Sequence, residues 1–237
     1  MSSKVDLSKF DWIDFHTHEP DNHPGVLNVV SVEAEVAPEK ILLGPDNCLY
    51  TVGLHPWWLD SDEDIFKRRL ELLRKVSARK RVIAFGEAGL DKLKGPGFSC
   101  QKGFFCSILE LAQKRNKPVV VHCVRCYPEL MNIKKKLGAQ VSMMVHGFNS
   151  KPEVLEQLLK HDCYVSLGVV GVRRKDLMGW LRKNSSMLSK ICLETDDSAT
   201  NIKSVYDHAA KALEIPSQHL SQIMHENFFN LFGDKWK

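Results

Sequence analysis

No run of eighteen consecutive apolar residues occurs in the chain, so nothing in it reads as a membrane span. The opening MSSKVDLSKF has no apolar stretch of the kind a secretory signal needs. An excess of one charge is missing as well. Thirty-three Lys and Arg stand against 29 Asp and Glu, a formal net charge of +4, too slight for a general electrostatic hold on nucleic acid. Phosphate recognition must then come from local placement of cations. Internal repeats, low-complexity tracts and linkers are absent, which makes residues 1–237 a single domain. The seven cysteines are odd in number and scattered through apolar segments. They read as reduced thiols of a cytoplasmic protein rather than a disulfide framework. Cys123 and Cys126 form one C-x-x-C, but no second pair completes a zinc site. Buried structural thiols are the simpler reading.

What is there suffices for a packed core: 43% hydrophobic and 26% charged residues are ordinary for a globular chain. Short apolar or β-branched runs recur at 12–16, 27–32, 49–54, 82–85, 119–122, 141–145, 163–167 and 191–193. Helical patterns lie between them. Ser61 is placed to cap a helix running to Arg79, with Ile65, Phe66, Leu70, Leu73 and Val76 on one face. Further helices are expected over 101–114, over 127–137 with Gly138 closing it, and over 152–161, 202–213 and 218–232. Strands alternating with helices argue for a parallel sheet, and eight such units in one domain for an α/β fold, a (β/α)₈ TIM barrel. The first connections are short for crossover helices, so either the first βα units are trimmed or the second strand lies elsewhere than 27–32.

In such a barrel the C-terminal strand ends form the active face. Six residues of metal-ligand type fall there. His16 and His18 share one face of the first strand by alternation, Glu87 follows the run ending in Phe85-Gly86, and His122, His146 and Asp196 end or follow later strands. A lone histidine in such a place is usually a satisfied core residue; six on five strands point to metal. The set suits two divalent ions, with Glu87 or Asp196 bridging them or facing a bound water. Imidazole donors favour zinc or manganese over magnesium, and all three stay open. Lys92, Lys94, Arg125, Arg173 and Arg174 also follow strands, where cations could hold phosphates. Lys67, Arg68, Arg69, Arg74, Lys75 and Lys134–Lys136 read as solvated helix faces. Trp57 and Trp58 could stack unpaired bases or merely cover the barrel edge.

At these positions the chain resembles the TatD family of metal-dependent hydrolases, usually described as DNases. The matching segments are IDFHTH (13–18), VGLHPW (52–57), FGEAGLD (85–91), PVVVHCVR (118–125), VHGFNS (145–150), LETD (193–196) and NFFNLFG (227–233). The resemblance implies the barrel and assigns His16, His18, Glu87, His122, His146 and Asp196 as metal ligands. Asp196 and Glu87 are the catalytic candidates; His55, Arg125, Lys92 and Arg173 are the candidates for substrate binding. His55 reads equally as a cap on the turn before Pro56. The implied activity is a phosphodiesterase or deoxyribonuclease using a two-metal-activated water, with DNA or another phosphodiester as partner and no obligate protein partner. An amidohydrolase-type C–N or ester hydrolase and a non-catalytic metal-binding scaffold are the alternatives. Departures from the family pattern cluster at the substrate mouth: Glu19 after H-x-H, Lys92 after GLD, Arg125 three residues past His122 rather than two, and Asp197-Ser198 where a proline is usual.

Overall fold

A computed structural model describes residues 6–137 and 140–233; Gly138 lies outside them. Eight strands form one sheet in sequence order, each parallel to its neighbour: β1 (Trp12–Thr17), β2 (Val26–Glu33), β3 (Cys48–Gly53), β4 (Val82–Asp91), β5 (Val119–Val124), β6 (Met143–Val145), β7 (Cys163–Leu167) and β8 (Ile191–Leu193). A parallel bridge between Thr17 and Asp196 brings β8 back to β1 and rolls the sheet into a barrel. The expected fold class is the one observed.

The helices are α1 (Ala37–Leu43), α2 (Glu63–Val76), α3 (Phe98–Arg115), α4 (Tyr127–Lys136), α5 (Pro152–Lys160), α6 (Val169–Val172), α7 (Lys175–Lys183), α8 (Ile202–Leu213) and α9 (Ser217–Phe232). They cover the barrel because β-strand alternation turns one set of side chains outward. On β1, Phe15 points out and meets Phe228 and Phe232 of α9 at 5.9 and 6.3 Å between ring centroids. Its neighbours Asp14 and His16 take the other face. Tyr206 of α8 grips the same strand: its hydroxyl donates to the Ile13 carbonyl at 3.1 Å and accepts from the Ile13 N–H at 3.2 Å.

The first units are trimmed, as the spacing implied. Among the described residues no helix joins β1 to β2, and only the seven-residue α1 joins β2 to β3. Residues 18–25 can still return the chain to the bottom of the barrel. Extended, they reach about 26 Å, whereas a six-residue strand such as β1 rises about 20 Å. Asn28 and Asn47 tie this segment down, each donating to the Asp21 carbonyl, at 3.0 and 3.1 Å.

Four expectations need correction. Asp62, not Ser61, caps α2, accepting from the Asp64 and Ile65 N–H groups at 2.9 Å each. That helix ends at Val76, short of Arg79. β4 continues to Asp91, so Glu87 lies within the strand rather than after it. Lys134 is buried instead of solvated: its Nζ donates to the Asp162 carbonyl at 2.8 Å, the stem lying along apolar surface. The Cys123 and Cys126 sulfurs are buried 3.6 Å apart, and Cys126 Sγ donates to the Leu90 carbonyl at 3.1 Å.

Candidate metal centre

Glu87 projects from β4 into the mouth of the barrel, and five imidazoles surround it. His146 Nε2 is 2.7 Å from Oε1, His122 Nδ1 3.0 Å and His55 Nε2 3.1 Å. On the other oxygen, His18 Nε2 stands at 3.3 Å and His16 Nε2 at 3.5 Å. Asp196 closes the far side, its Oδ1 being 3.5 Å from Nε2 of both His16 and His18. These are the six candidates from the strand ends, plus His55, brought to one point. Ligand atoms within 4.8 Å of one another fall into three overlapping groups: His16, His146 and Asp196; His16, His18 and Glu87; His55, Glu87 and His122. His55 caps its turn and also reaches the centre. Its Nδ1 accepts from the Trp57 N–H at 3.2 Å, capping the turn, while Nε2 faces Glu87.

The electrostatics match this crowding. Burial pushes Glu87 up, but the His146, His122 and His16 rings overcome it and hold the carboxyl well below its usual range. Burial likewise opposes ionisation of Asp196, and the nearby His16 and His18 rings outweigh it and hold the carboxyl well below its usual range. The same contacts raise His18 to about 9, through Asp196 and then Glu87. His16 and His146 differ from the others: all four of their ring nitrogens are buried without a hydrogen-bond partner. Buried polar atoms are ordinarily satisfied. Orphaned Nε2 atoms of His16 and His146, lying 2.7 to 3.5 Å from carboxylate oxygens outside bonding geometry, are what an N,O-ligand shell offers a divalent ion. The donor set therefore fits the ions the sequence implied.

The cavity here measures about 310 Å³, and its lining includes Ser31, Trp57, Trp58 and Asp197 besides His18, Glu87, His122, His146 and Asp196. Trp58 is 60% exposed at its edge. Lys94 Nζ lies 3.4 Å above the Trp57 ring centroid and 5.8 Å from that of Trp58. The three cations expected to bind substrate stand outside this lining. Lys92 is paired with Glu129 of α4, Arg125 is exposed at the turn after β5, and Arg173 is exposed after α6. Arg174 pairs with Asp176 and Asn149.

Several carboxylates at the centre were not singled out by sequence. Glu33 ends β2, lines the cavity and accepts the His55 N–H at 3.2 Å; burial raises it to about 7 against that bond. Glu194 is fully buried and accepts the Gly147 N–H at 2.6 Å, beside His146. Asp91 receives the Trp57 indole N–H at 2.6 Å and faces His122 Nε2 at 3.2 Å. The available signal was position: Glu33 falls one residue past the run 27–32, and Asp91 and Glu194 lie inside the matched segments FGEAGLD and LETD.

The sequence model of the TatD related DNase family matches residues 23–233. The chain belongs to that family. Among TatD-like relatives, an uncharacterised metal-dependent hydrolase of Methanocaldococcus jannaschii is 24% identical over 196 residues, covering 78% of this chain and 76% of its own. The deoxyribonuclease Tat-D of Schizosaccharomyces pombe is 25% identical over 207 residues, 76% of this chain and 66% of its own. The crystal structure of the TatD homologue YjjV from Escherichia coli superposes with a TM-score of 0.78 at 22% identity, covering 94% of this chain and 98% of that one. A TatD-family hydrolase from Entamoeba histolytica gives 0.76 at 16% identity, covering 94% and 98%. This TatD-family chain is thus a metal-dependent hydrolase on the family's barrel.

Proposed function

We propose that this TatD-family chain is a metal-dependent phosphodiesterase acting on DNA, at ends or single strands. His16, His18, Glu87, His122, His146 and Asp196 are its ligands for two divalent ions. The observation carrying this reading is the position of Glu87 among five imidazoles, with the His16 and His146 nitrogens unsatisfied. Divalent ions, when bound, polarise a phosphoryl oxygen and acidify water. The chain's own groups do the rest. Asp196, partly exposed to the cavity and held ionised by its histidines, accepts the proton of the attacking water. The exposed Trp58 face, beside Trp57 and the Lys94 ammonium, receives an unpaired base and meets its phosphate. Arg125, Lys92 and Arg173 serve phosphates farther along the strand. The S. pombe relative's name supports a DNA substrate.

A second reading has an observation of its own. Among the described residues no Lys or Arg lines the cavity, which suits a small neutral ester or amide as well as a nucleotide. A screen of single-stranded and duplex DNA beside bis-p-nitrophenyl phosphate and a panel of neutral esters and amides separates the two. Phosphodiester cleavage that a chelator abolishes is the expected result. No phosphodiester turnover, with rapid cleavage of a neutral ester or amide, would install the second reading.

A further inference from the structure

We infer that Asp91 is the positioning carboxylate of this centre: it fixes His122 as the tautomer that leaves Nδ1 free to bind an ion, and so sets how tightly the ion is held. The inference rests on the proposed role of His122 as a ligand. Asp91 is the last residue of β4 and is 3% exposed. Four N–H groups or ring nitrogens converge on its two oxygens. Oδ1 accepts from the Leu93 and Lys94 backbone at 2.7 and 3.1 Å. Oδ2 accepts from Trp57 Nε1 at 2.6 Å and lies 3.2 Å from His122 Nε2. Gln101, itself buried, clamps the Asp91 backbone from both sides, accepting its N–H at 2.7 Å and donating to its carbonyl at 3.0 Å. The carboxylate therefore cannot drift.

An ionised carboxylate only accepts, so the imidazole nitrogen facing it must carry the hydrogen. A neutral imidazole carries one N–H, and with Nε2 protonated the lone pair is on Nδ1. Nδ1 is the nitrogen that faces the centre, 3.0 Å from Glu87 Oε1 and 3.2 Å from His55 Nε2. A histidine donating one ring N–H to a carboxylate while offering the other nitrogen is the usual arrangement around bound metal. The same oxygen holds the Trp57 indole, so the aromatic wall of the cavity and the ligand ring are set by one group.

Asp91→Asn tests this without dismantling the turn. The amide oxygen can keep the Leu93 and Lys94 donors, which costs the Trp57 indole its acceptor and turns the NH₂ toward His122 Nε2. That group donates, so the ring must put its hydrogen on Nδ1 and lose the ligand lone pair. Zinc-loaded protein titrated with a chelator of known affinity should release zinc at a 10- to 100-fold weaker affinity in the variant. Nitrogen NMR of histidine-labelled protein should show His122 switched from the Nε2–H to the Nδ1–H form. An unchanged tautomer, or zinc retention within twofold of wild type, overturns the inference. A measurement on zinc-loaded wild type guards against a variant that fails to fold: His122 should show a protonated Nε2 and a zinc-bound Nδ1, and coordination through Nε2 overturns the inference equally. Neither readout needs turnover, so a protein with no action on DNA would sink the proposed function and leave this result standing.

Discussion

Taking away the Glu87 carboxylate would leave five imidazoles without the one anion they share. Glu87→Ala should therefore lower the metal content of the purified protein as well as its activity; elemental analysis returning wild-type content would make the residue structural. Asp196→Asn is milder, since Asn keeps the shape and one ligating oxygen but takes up no proton at neutral pH. It should hold at least one ion and still bind DNA, with turnover down by about 10²–10⁴. A loss of only a few-fold would remove Asp196 as the base. Loading should also depend on pH in a definite direction. His18, raised to about 9 by Asp196 and Glu87, is protonated below that value and must shed its proton to bind metal. Affinity should thus rise as pH rises toward 9 and fall below it, with protons released on binding, as calorimetry in buffers of different ionisation enthalpy would register. The candidate ligands that meet around Glu87 were legible in the sequence because alternation and strand ends place them. Glu33 and Asp91 stand at strand ends too, but their contacts are with residues distant in sequence, His55 and His122, and position alone does not reveal those contacts.

The strands place the candidate ligands, and their packing tolerances can be probed directly. Gly89 of β4 has φ +156°, and a Cβ there would overlap the His122 carbonyl oxygen of β5. Gly89→Ala should drive β5 away from β4, lowering both thermal stability and metal content; a variant with unchanged melting and metal content would show that the ladder yields freely. Asp62→Ala makes the opposite case. It removes the α2 cap, on the outside of the barrel, at about 1 kcal/mol, a melting shift of about 2–4 °C, with metal content and turnover unchanged. The cap was misassigned by one residue because Ser61 and Asp62 both suit the position, and only the bonds to Asp64 and Ile65 decide it. Lys134 was misjudged for a related reason: a basic run predicts a wet face, but a long stem can lie flat and find a carbonyl.

Over the whole molecule, the alternation of apolar runs with amphipathic segments made the barrel legible, since parallel neighbours demand crossovers and eight of them close a ring. The short 18–25 connection looked like an obstacle only until reach was compared with strand length. If ions bind the folded barrel alone, chelation should lower the melting temperature through a loss of stability that grows with the logarithm of the ion's excess over its dissociation constant, about 2.7 kcal/mol at a hundredfold excess. Calorimetry with and without chelator measures this; identical melting would mean the centre adds nothing to the fold.

The seam between β1 and β8 has a consequence for synthesis. Asp196 donates its N–H to the His16 carbonyl at 2.9 Å and accepts from the His18 N–H at 3.2 Å, so its backbone joins the two edges while its carboxylate faces the same two rings. A ribosome delivers His16 and His18 early and Asp196 long afterwards. Until then the histidine pair hangs on a strand with one neighbour, and the emerging chain has no complete cage in which to trap a stray ion. Of the three groups of close-set donors, the one made by His16, His146 and Asp196 is therefore finished last, when the eighth strand docks on the first.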